Sequence, residues 1–275
     1  MSSFITRSHT ESIVLITGSN TGLGFATAQA LLSSPEVYTL ILTSRSLVKA
    51  EAAAEVLKHS SDHNKESQVV PMQLDIDDDE SVKALFSVVS ETWGRMDVLV
   101  NNAGFHCDFA LAAGKMTTRD AFLGAFKTNV ISTHLLTESF LPLILKSSSP
   151  RIVFLTSGIS SLGDHSNPRV PVNQSPPSGW PKPYVFNCTT YRTSKTAANM
   201  MILEWCRVLK EDKVTVHIVD PGFLATDLGG ADPELMRSKG AQDPIVGGRF
   251  VKDVVEGRRD EDAGKMIAKD GVIAW

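Results

Sequence analysis

Tyr191 and Lys195 stand four residues apart at the head of a segment, 193–209, that reads as helix. That spacing puts both side chains on one helix face, about one turn apart. A free tyrosine has a pKa of about 10 and seldom ionises at neutral pH. A nearby ammonium favours the phenolate and lowers that value. A phenol tuned in this way gives a proton to a substrate oxygen or takes one from it, as general acid or general base. A second chemistry sits near the start of the chain, in Thr17-Gly18-Ser19-Asn20-Thr21-Gly22-Leu23-Gly24. Glycines there let the backbone turn tightly and approach a phosphate, which meets the N–H groups and positive end of a following helix. The Gly-x-x-x-Gly-x-Gly spacing differs from the Gly-x-Gly-x-x-Gly of long-chain dehydrogenases.

The elements around these residues alternate. Ile13-Val14-Leu15-Ile16 is an uninterrupted, β-branched apolar run, the pattern of a strand buried on both faces. Helix is expected over 22–32, 47–58, 79–93, 121–145 and 193–209, and strand over 38–43, 68–74, 97–100, 151–155 and 214–219. Such alternation predicts a parallel sheet with helices on both faces. Right-handed crossovers make it a doubly wound Rossmann sheet of α/β class. No repeat or change of composition divides the 275 residues, so a single domain over 1–275 is expected. Two segments break the pattern. The stretch 158–190 carries Pro168, Pro171, Pro176, Pro177, Pro181 and Pro183, and 222–242 is rich in glycine. Both leave the carboxyl ends of strands, where open α/β sheets bind ligands, so both are expected to line a substrate pocket.

Six motifs in chain order resemble the short-chain dehydrogenase/reductase family along almost the whole sequence. They are the Gly18–Gly24 turn, Asn101-Asn102-Ala103-Gly104 after the fourth strand and Lys127-Thr128-Asn129-Val130. Ser157 after the fifth strand, Tyr191-Arg-Thr-Ser-Lys195, and Pro221-Gly222-Phe-Leu-Ala-Thr226 after the sixth complete the set. The resemblance implies an oxidoreductase that interconverts a carbonyl and an alcohol with a nicotinamide cofactor, in the manner of the family's NADP-preferring carbonyl reductases. It gives Tyr191 the proton transfer, Ser157 the substrate oxygen, Lys195 the nicotinamide ribose as well as the phenol, and Asn129 a water-linked proton path. Thr156, Ser160 and Ser161 neighbour Ser157, whose place two residues past Leu155 fits best. By the same resemblance the cofactor contacts are Gly18, Ser19, Asn20, Gly22, Leu23, Gly24, Asp75, Ile76 and Asn101 to Gly104. Tyr191, Lys195, Pro221, Gly222, Leu224 and Thr226 complete the cofactor contacts. Ser157 and Tyr191 are 34 positions apart, whereas many members place them about a dozen apart; the excess is the Pro-rich segment. Its Trp180, Tyr184 and Phe186 suit a bulky or planar apolar substrate, of secondary-metabolite type, or else pin the segment to the core.

The second strand ends Thr43-Ser44-Arg45-Ser46, with no acidic residue to accept from a ribose 2′-OH. Arg45 offers a planar fork to a 2′-phosphate and Thr43, Ser44 and Ser46 offer hydroxyls, so NADP(H) is the expected cofactor; the other reading of Arg45 is a solvated turn residue. His106, Cys107 and Phe109 follow the Asn-Asn-Ala-Gly turn as pocket or structural residues. Met200, Met201, Leu203 and Trp205 read as core or as a dimer seam, and Trp275 as exposed or at an interface. Among enzymes of this resemblance the alternatives are a non-redox dehydration, epimerisation or rearrangement. Outside them stands a non-catalytic NADP(H) sensor, although such proteins typically lack the tyrosine or lysine that this chain has.

Composition removes other classes. A net charge of −4 lacks the basic footprint of a nucleic-acid binder. No apolar run reaches the ~18 residues of a membrane helix, and residues 1–12 lack the apolar core of a cleaved leader. Three dispersed cysteines and seven histidines form no ligand cluster, so no metal is expected, and a cytoplasmic enzyme is. The family resemblance further implies a homo-oligomer, dimer or tetramer.

Overall fold

The computed structural model describes residues 11–60, 63–180, 182 and 188–275. Pro181, Pro183, Tyr184 and Phe186, and the first ten residues, lie outside them. The first half runs β1 (Ser12–Ile16), α1 (Gly22–Leu32), β2 (Tyr38–Ser44), α2 (Leu47–Lys58), β3 (Gln68–Gln73), α3 (Asp79–Thr92) and β4 (Val98–Asn101). Then come α4 (Asp108–Ala112), α5 (Thr118–Phe126), a π-helical stretch (Lys127–Ser132), α6 (Thr133–Ile144) and β5 (Arg151–Leu155). The last part is α7 (Thr189–Val208), β6 (Thr215–Val219), α8 (Pro233–Ser238), α9 (Pro244–Val255), β7 (Met266–Ala268) and β8 (Gly271–Val272).

The sheet order is β3-β2-β1-β4-β5-β6-β7-β8, parallel except for the antiparallel β7–β8 pair. The order reverses beside β1, which pairs with β2 on one side and β4 on the other. Such a switch point opens a crevice at the strand carboxyl ends. Alternation along β1 explains why its whole run is apolar. Ile13 and Leu15 join one layer with Phe140 of α6 and Trp205 of α7. Val14 and Ile16 join the opposite layer with Leu31 of α1, Ala54 of α2 and Val251 of α9. Phe140 is wholly buried, so truncation to Ala would cost about 3–5 kcal/mol.

Several elements depart from the sequence expectation, among them α4 and α8, which were not expected, and α7, which begins at Thr189 rather than 193. The helix expected over 121–145 is broken by the π turn at 127–132. α9, which contains the Gly247-Gly248 pair, was not among the expected helices. The structure uses both glycines for contact. A β-carbon at Gly248 would stand 2.5 Å from the Ala26 carbonyl, and one at Gly247 would stand 2.6 Å from Leu224 Cδ1. Finally, the chain ends in β7 and a short antiparallel return strand, β8, beyond the strand expected over 214–219. No helix among the described residues is long and apolar enough to cross a membrane.

Candidate active site

The turn between β1 and α1 is held by the loop after β4. Thr17 Oγ1 accepts from the Asn102 and Ala103 amides at 2.9 and 2.8 Å. Asn102 Nδ2 donates to the Thr17 and Gly18 carbonyls at 2.7 and 3.0 Å. Gly18 and Gly22 take φ of +60° and +57°, which side chains disfavour. A β-carbon at Gly24 would lie 2.6 Å from Asn102 Nδ2 and 2.7 Å from the Gly18 carbonyl. Across the turn, a β-carbon at Gly22 would lie 3.5 Å from Thr226 Cγ2. An open cavity of about 430 Å³ runs from Thr21 and Gly22 to Thr226 and Arg237; it adjoins the turn and reaches neither Ser157 nor Tyr191. A bare backbone ahead of a helix N-terminus, with no room for side chains, fits a dinucleotide phosphate.

Several expected cofactor residues face inward. Ser19 and Thr43 are wholly buried. Ser19 Oγ donates to the Ile16 carbonyl at 2.8 Å and accepts from the Thr43 amide at 2.8 Å. Thr43 Oγ1 donates to the same carbonyl at 3.0 Å. Their hydroxyls brace the turn against β2, and that of Thr43, expected to meet a phosphate, is engaged with the Ile16 carbonyl. Asn101 Nδ2 donates to Thr137 Oγ1 of α6 at 3.1 Å, so this side chain holds a helix to the sheet. At the end of β2, Ser44 Oγ accepts from the Ser46 amide at 3.3 Å, and Arg45 is exposed. Asp75 accepts from the Asp77 amide at 3.0 Å beside the buried Ile76. Asn20 is half-buried. Beyond β6, Gly222 has φ of +89° after Pro221. Leu224 pairs with Gln242 in an isolated bridge, and a β-carbon at Gly247 would lie 3.1 Å from Leu23 Cδ1 and 3.2 Å from the Pro221 carbonyl.

The second cluster forms where α7 crosses the end of β5. Lys195, Asn199 and Tyr191 repeat every four residues on one helix face. Lys195 Nζ donates to the Leu155 carbonyl at 2.8 Å and sits 5.8 Å from the centre of the Tyr191 ring. Ser157 reaches the Tyr191 phenol with its side chain. Its hydroxyl neighbours are turned elsewhere. Thr156 Oγ1 donates to Asn199 Oδ1 at 2.5 Å, and Ser160 Oγ donates to the Ser157 carbonyl at 2.6 Å. Asn199 Nδ2 donates in turn to Ser160 Oγ at 3.0 Å. Asn129 lies on the π turn, a feature common at functional sites. Its Oδ1 accepts from the Phe105 amide at 2.7 Å, and its Nδ2 donates to the Phe105 carbonyl at 2.8 Å and to Ser194 Oγ at 2.9 Å. A β-carbon at Gly104 would lie between Asn129 Oδ1, at 3.4 Å, and Lys195 Nζ, at 3.8 Å.

Burial governs the protonation of this cluster. It pushes the Tyr191 phenol well above its ordinary value; the Asp220 and Cys188 charges push the same way, and Ser157 opposes them. Burial also brings Lys195 down to about 8. Burial of the phenol thus outweighs, in the chain by itself, the lowering by Lys195 that the sequence led one to expect. Desolvation raises the Asp220 carboxyl as well, and Asp220 Oδ1 accepts from the Gly222 amide at 3.1 Å.

Two further residues position Tyr191: Asp108, which sequence reasoning passed over, and His106, which it read as a pocket or structural residue. Asp108, buried to 4% exposure, accepts from the Thr190 amide at 3.2 Å and the Tyr191 amide at 3.1 Å. It caps α7 from 82 residues away, since the helix's own N-cap residue, Cys188, makes no side-chain capping bond. His106 packs its ring 4.8 Å from that of Tyr191 and 5.2 Å from that of Phe109. Burial keeps its imidazole neutral. The identity of His106 was a hint; for Asp108 the sequence carries no local signal. Met200 is exposed and Trp205 is buried, so the α7 stretch divides between surface and core, and Trp180 is 88% exposed and pins nothing to the core. Among the described residues no three His, Cys, Asp or Glu side chains gather as a metal site would need.

Residues 12–168 match the family model described as short chain dehydrogenase. The chain belongs to the short-chain dehydrogenase/reductase family, a family of oxidoreductases. It is 42% identical over 272 residues to the short-chain dehydrogenase/reductase eupG of Phoma sp, covering 96% of this chain and 97% of that protein. It is 41% identical over 268 residues to the short-chain dehydrogenase/reductase tropE of Talaromyces stipitatus, covering 94% and 96%. Among solved structures it resembles the NADPH-bound carbonyl reductase from chicken fatty liver, with TM-score 0.71, 26% identity and coverage of 95% and 98%.

Proposed function

We propose that this chain is an NADPH-dependent oxidoreductase that interconverts a carbonyl and an alcohol, working chiefly as a reductase of a bulky ketone or aldehyde. The observation that carries this reading is the meeting of Tyr191, Ser157 and Lys195 at the end of β5, on the strand ends that also carry the Gly18–Gly24 turn. When bound, the nicotinamide supplies the hydride. Gly18, Gly22, Leu23 and Gly24, with Asn20, Asn102 to Gly104, Pro221, Gly222, Leu224 and Thr226, form its cradle, and Ser44 and Arg45 receive a 2′-phosphate. Asp75 and Ile76 flank the adenine side.

Ser157 orients the substrate oxygen and shares the negative charge that grows on it. Tyr191 holds the proton at Oη and gives it to that oxygen. A phenol raised by burial keeps its proton at neutral pH, which suits the reducing direction. Lys195 sits behind the phenol to recharge it, with Asn129 beside it. The segments 158–190 and 222–242 supply the pocket walls; the exposed Phe223 and Leu228 suit an apolar substrate. Exposed Leu123, Ile131, Leu135, Met200 and Val208, on α5 to α7, support pairing of two copies through these helices.

A screen of NADPH oxidation, followed by absorbance, against diverse ketones, quinones and aldehydes tests the reading. Turnover of apolar bulky carbonyls with NADPH in preference to NADH is expected. Tight NADPH binding without turnover of any carbonyl, or turnover without net NADPH consumption, would overturn it.

A further inference from the structure

Arg192, the residue after Tyr191, is absorbed by none of the chemistry above, yet its guanidinium is fully engaged. Its Nε donates to the Ile159 carbonyl at 2.7 Å, Nη1 to the Val172 carbonyl at 3.0 Å and Nη2 to Asn173 Oδ1 at 2.7 Å. The planar fork thus joins the two ends of a stretch that begins directly after Ser157. Asn173 closes that stretch from inside, its Nδ2 donating to the Asp164 carbonyl at 2.8 Å and the Asn167 carbonyl at 3.1 Å. One turn further along α7, Thr196 Oγ1 donates to the Ser160 carbonyl at 2.7 Å. The far side of the stretch meets the chain's C-terminus. The Gly163 amide donates to the Trp275 carbonyl, and a β-carbon at Gly163 would stand 2.9 Å from Ala274 Cβ.

The stretch has only two short 3-10 turns, Gly158–Ser160 and Pro171–Asn173, so side-chain bonds carry much of its attachment to α7, and charge-assisted ones are the strongest available. Ser157 and Tyr191 face the substrate in the reading above, and the clamp sits one residue from Tyr191 and, at Ile159, two from Ser157. We propose that Arg192 is a specificity-determining positioning residue, which fixes residues 158–174 as a rigid wall beside Ser157 and Tyr191 for planar, extended apolar carbonyl substrates. This rests on the carbonyl-reductase reading. A small carbonyl fills only the space between Ser157 and Tyr191 and does not touch the wall; a fused-ring carbonyl leans on it. Loosening the clamp therefore weakens large substrates selectively, because binding then has to order the wall.

The test uses the full-length Arg192→Gln and Asn173→Ala chains; the second removes one acceptor of the clamp, together with the two bonds that Asn173 Nδ2 makes inside the stretch, without touching α7. Binding of 9,10-phenanthrenequinone and of cyclohexanone to each chain with NADP+ is measured by calorimetry, so that no turnover is needed. Amide hydrogen exchange is followed over 158–174. The expected result is quinone affinity lower by about tenfold in Arg192→Gln, with a smaller fall in Asn173→Ala, the scale of one charge-assisted hydrogen bond. Cyclohexanone and NADP+ affinities should stay within about twofold and exchange over 158–174 should accelerate by about tenfold or more, on the same scale. Unchanged exchange, an equal loss for both carbonyls, or no quinone binding by the parent chain would each overturn the proposal. Absence of carbonyl turnover in the parent chain, with the binding pattern intact, would instead overturn the reductase reading and leave the wall standing.

Discussion

Replacing Asp108 with Ala tests the claim that the catalytic helix is set by a cap supplied from outside it. Asp108 receives two amides, those of Thr190 and Tyr191, in a place where it is only 4% exposed. Each buried donor left without an acceptor costs about 1–3 kcal/mol, and loss of an N-cap alone costs about 1 kcal/mol. Relief of the buried carboxylate's own desolvation offsets part of this. The net loss is about 2–4 kcal/mol, or roughly a 5–10 °C fall in Tm for a chain of this size. Urea unfolding followed by circular dichroism measures it, with NADPH affinity and kcat measured in parallel. The kcat should fall by about tenfold or more, because the displaced backbone carries the phenol. NADPH affinity should hold, since Asp108 lies outside the glycine turn. Asp108→Asn keeps one acceptor and should recover about half of the stability. Stability within about 0.5 kcal/mol of the parent, the range of an inert surface change, together with unchanged kcat, would refute the reasoning.

Gly248→Ala drives a β-carbon to within 2.5 Å of the Ala26 backbone and should destabilise by about 1–3 kcal/mol or more in urea unfolding, with α1 pushed off α9. Arg45→Asp should shift preference from NADPH towards NADH in initial-rate assays, and an unchanged ratio would remove Arg45 from the phosphate site. His217, wholly buried, accepts from Arg151 Nη1 at 2.7 Å through Nε2 and stays neutral, its pKa held down at about 4 by burial and then by Arg151. The unfolded chain takes up that proton near pH 6.5 and the folded chain does not. Stability should therefore fall as pH drops from about 6.5 to 4, by on the order of 3 kcal/mol. His217→Gln should flatten that slope in denaturation measured across the window.

The layered fold was legible because its cause is local. The runs Ile13–Ile16 and Ile152–Leu155 are apolar throughout, as strands covered on both faces require, and 22–32 and 47–58 emerge as α1 and α2 with the same limits. What stayed hidden depends on contacts between distant residues. Gly247 and Gly248 look like helix breakers until α1 and Leu224 are seen pressed against them. Thr43 ends a strand at a position fit for phosphate, but pleating turns its hydroxyl inward to Ile16. The grouping of Tyr191, Lys195, Asn129 and Ser157 was expected from the family resemblance of the motifs that carry them. Asp108 and Arg192 were not, since one caps a helix 82 positions away and the other grips a Pro-rich stretch with no pattern of its own.

Tyr191→Phe is the most direct test of the central claim, because it removes one oxygen and leaves the packing of α7, His106 and Lys195 in place. Steady-state NADPH consumption with the best carbonyl from the screen, alongside NADPH binding by fluorescence, gives both numbers needed. The account predicts loss of turnover by about a hundredfold or more, with cofactor affinity unchanged within about twofold. Turnover close to that of the parent chain would contradict it.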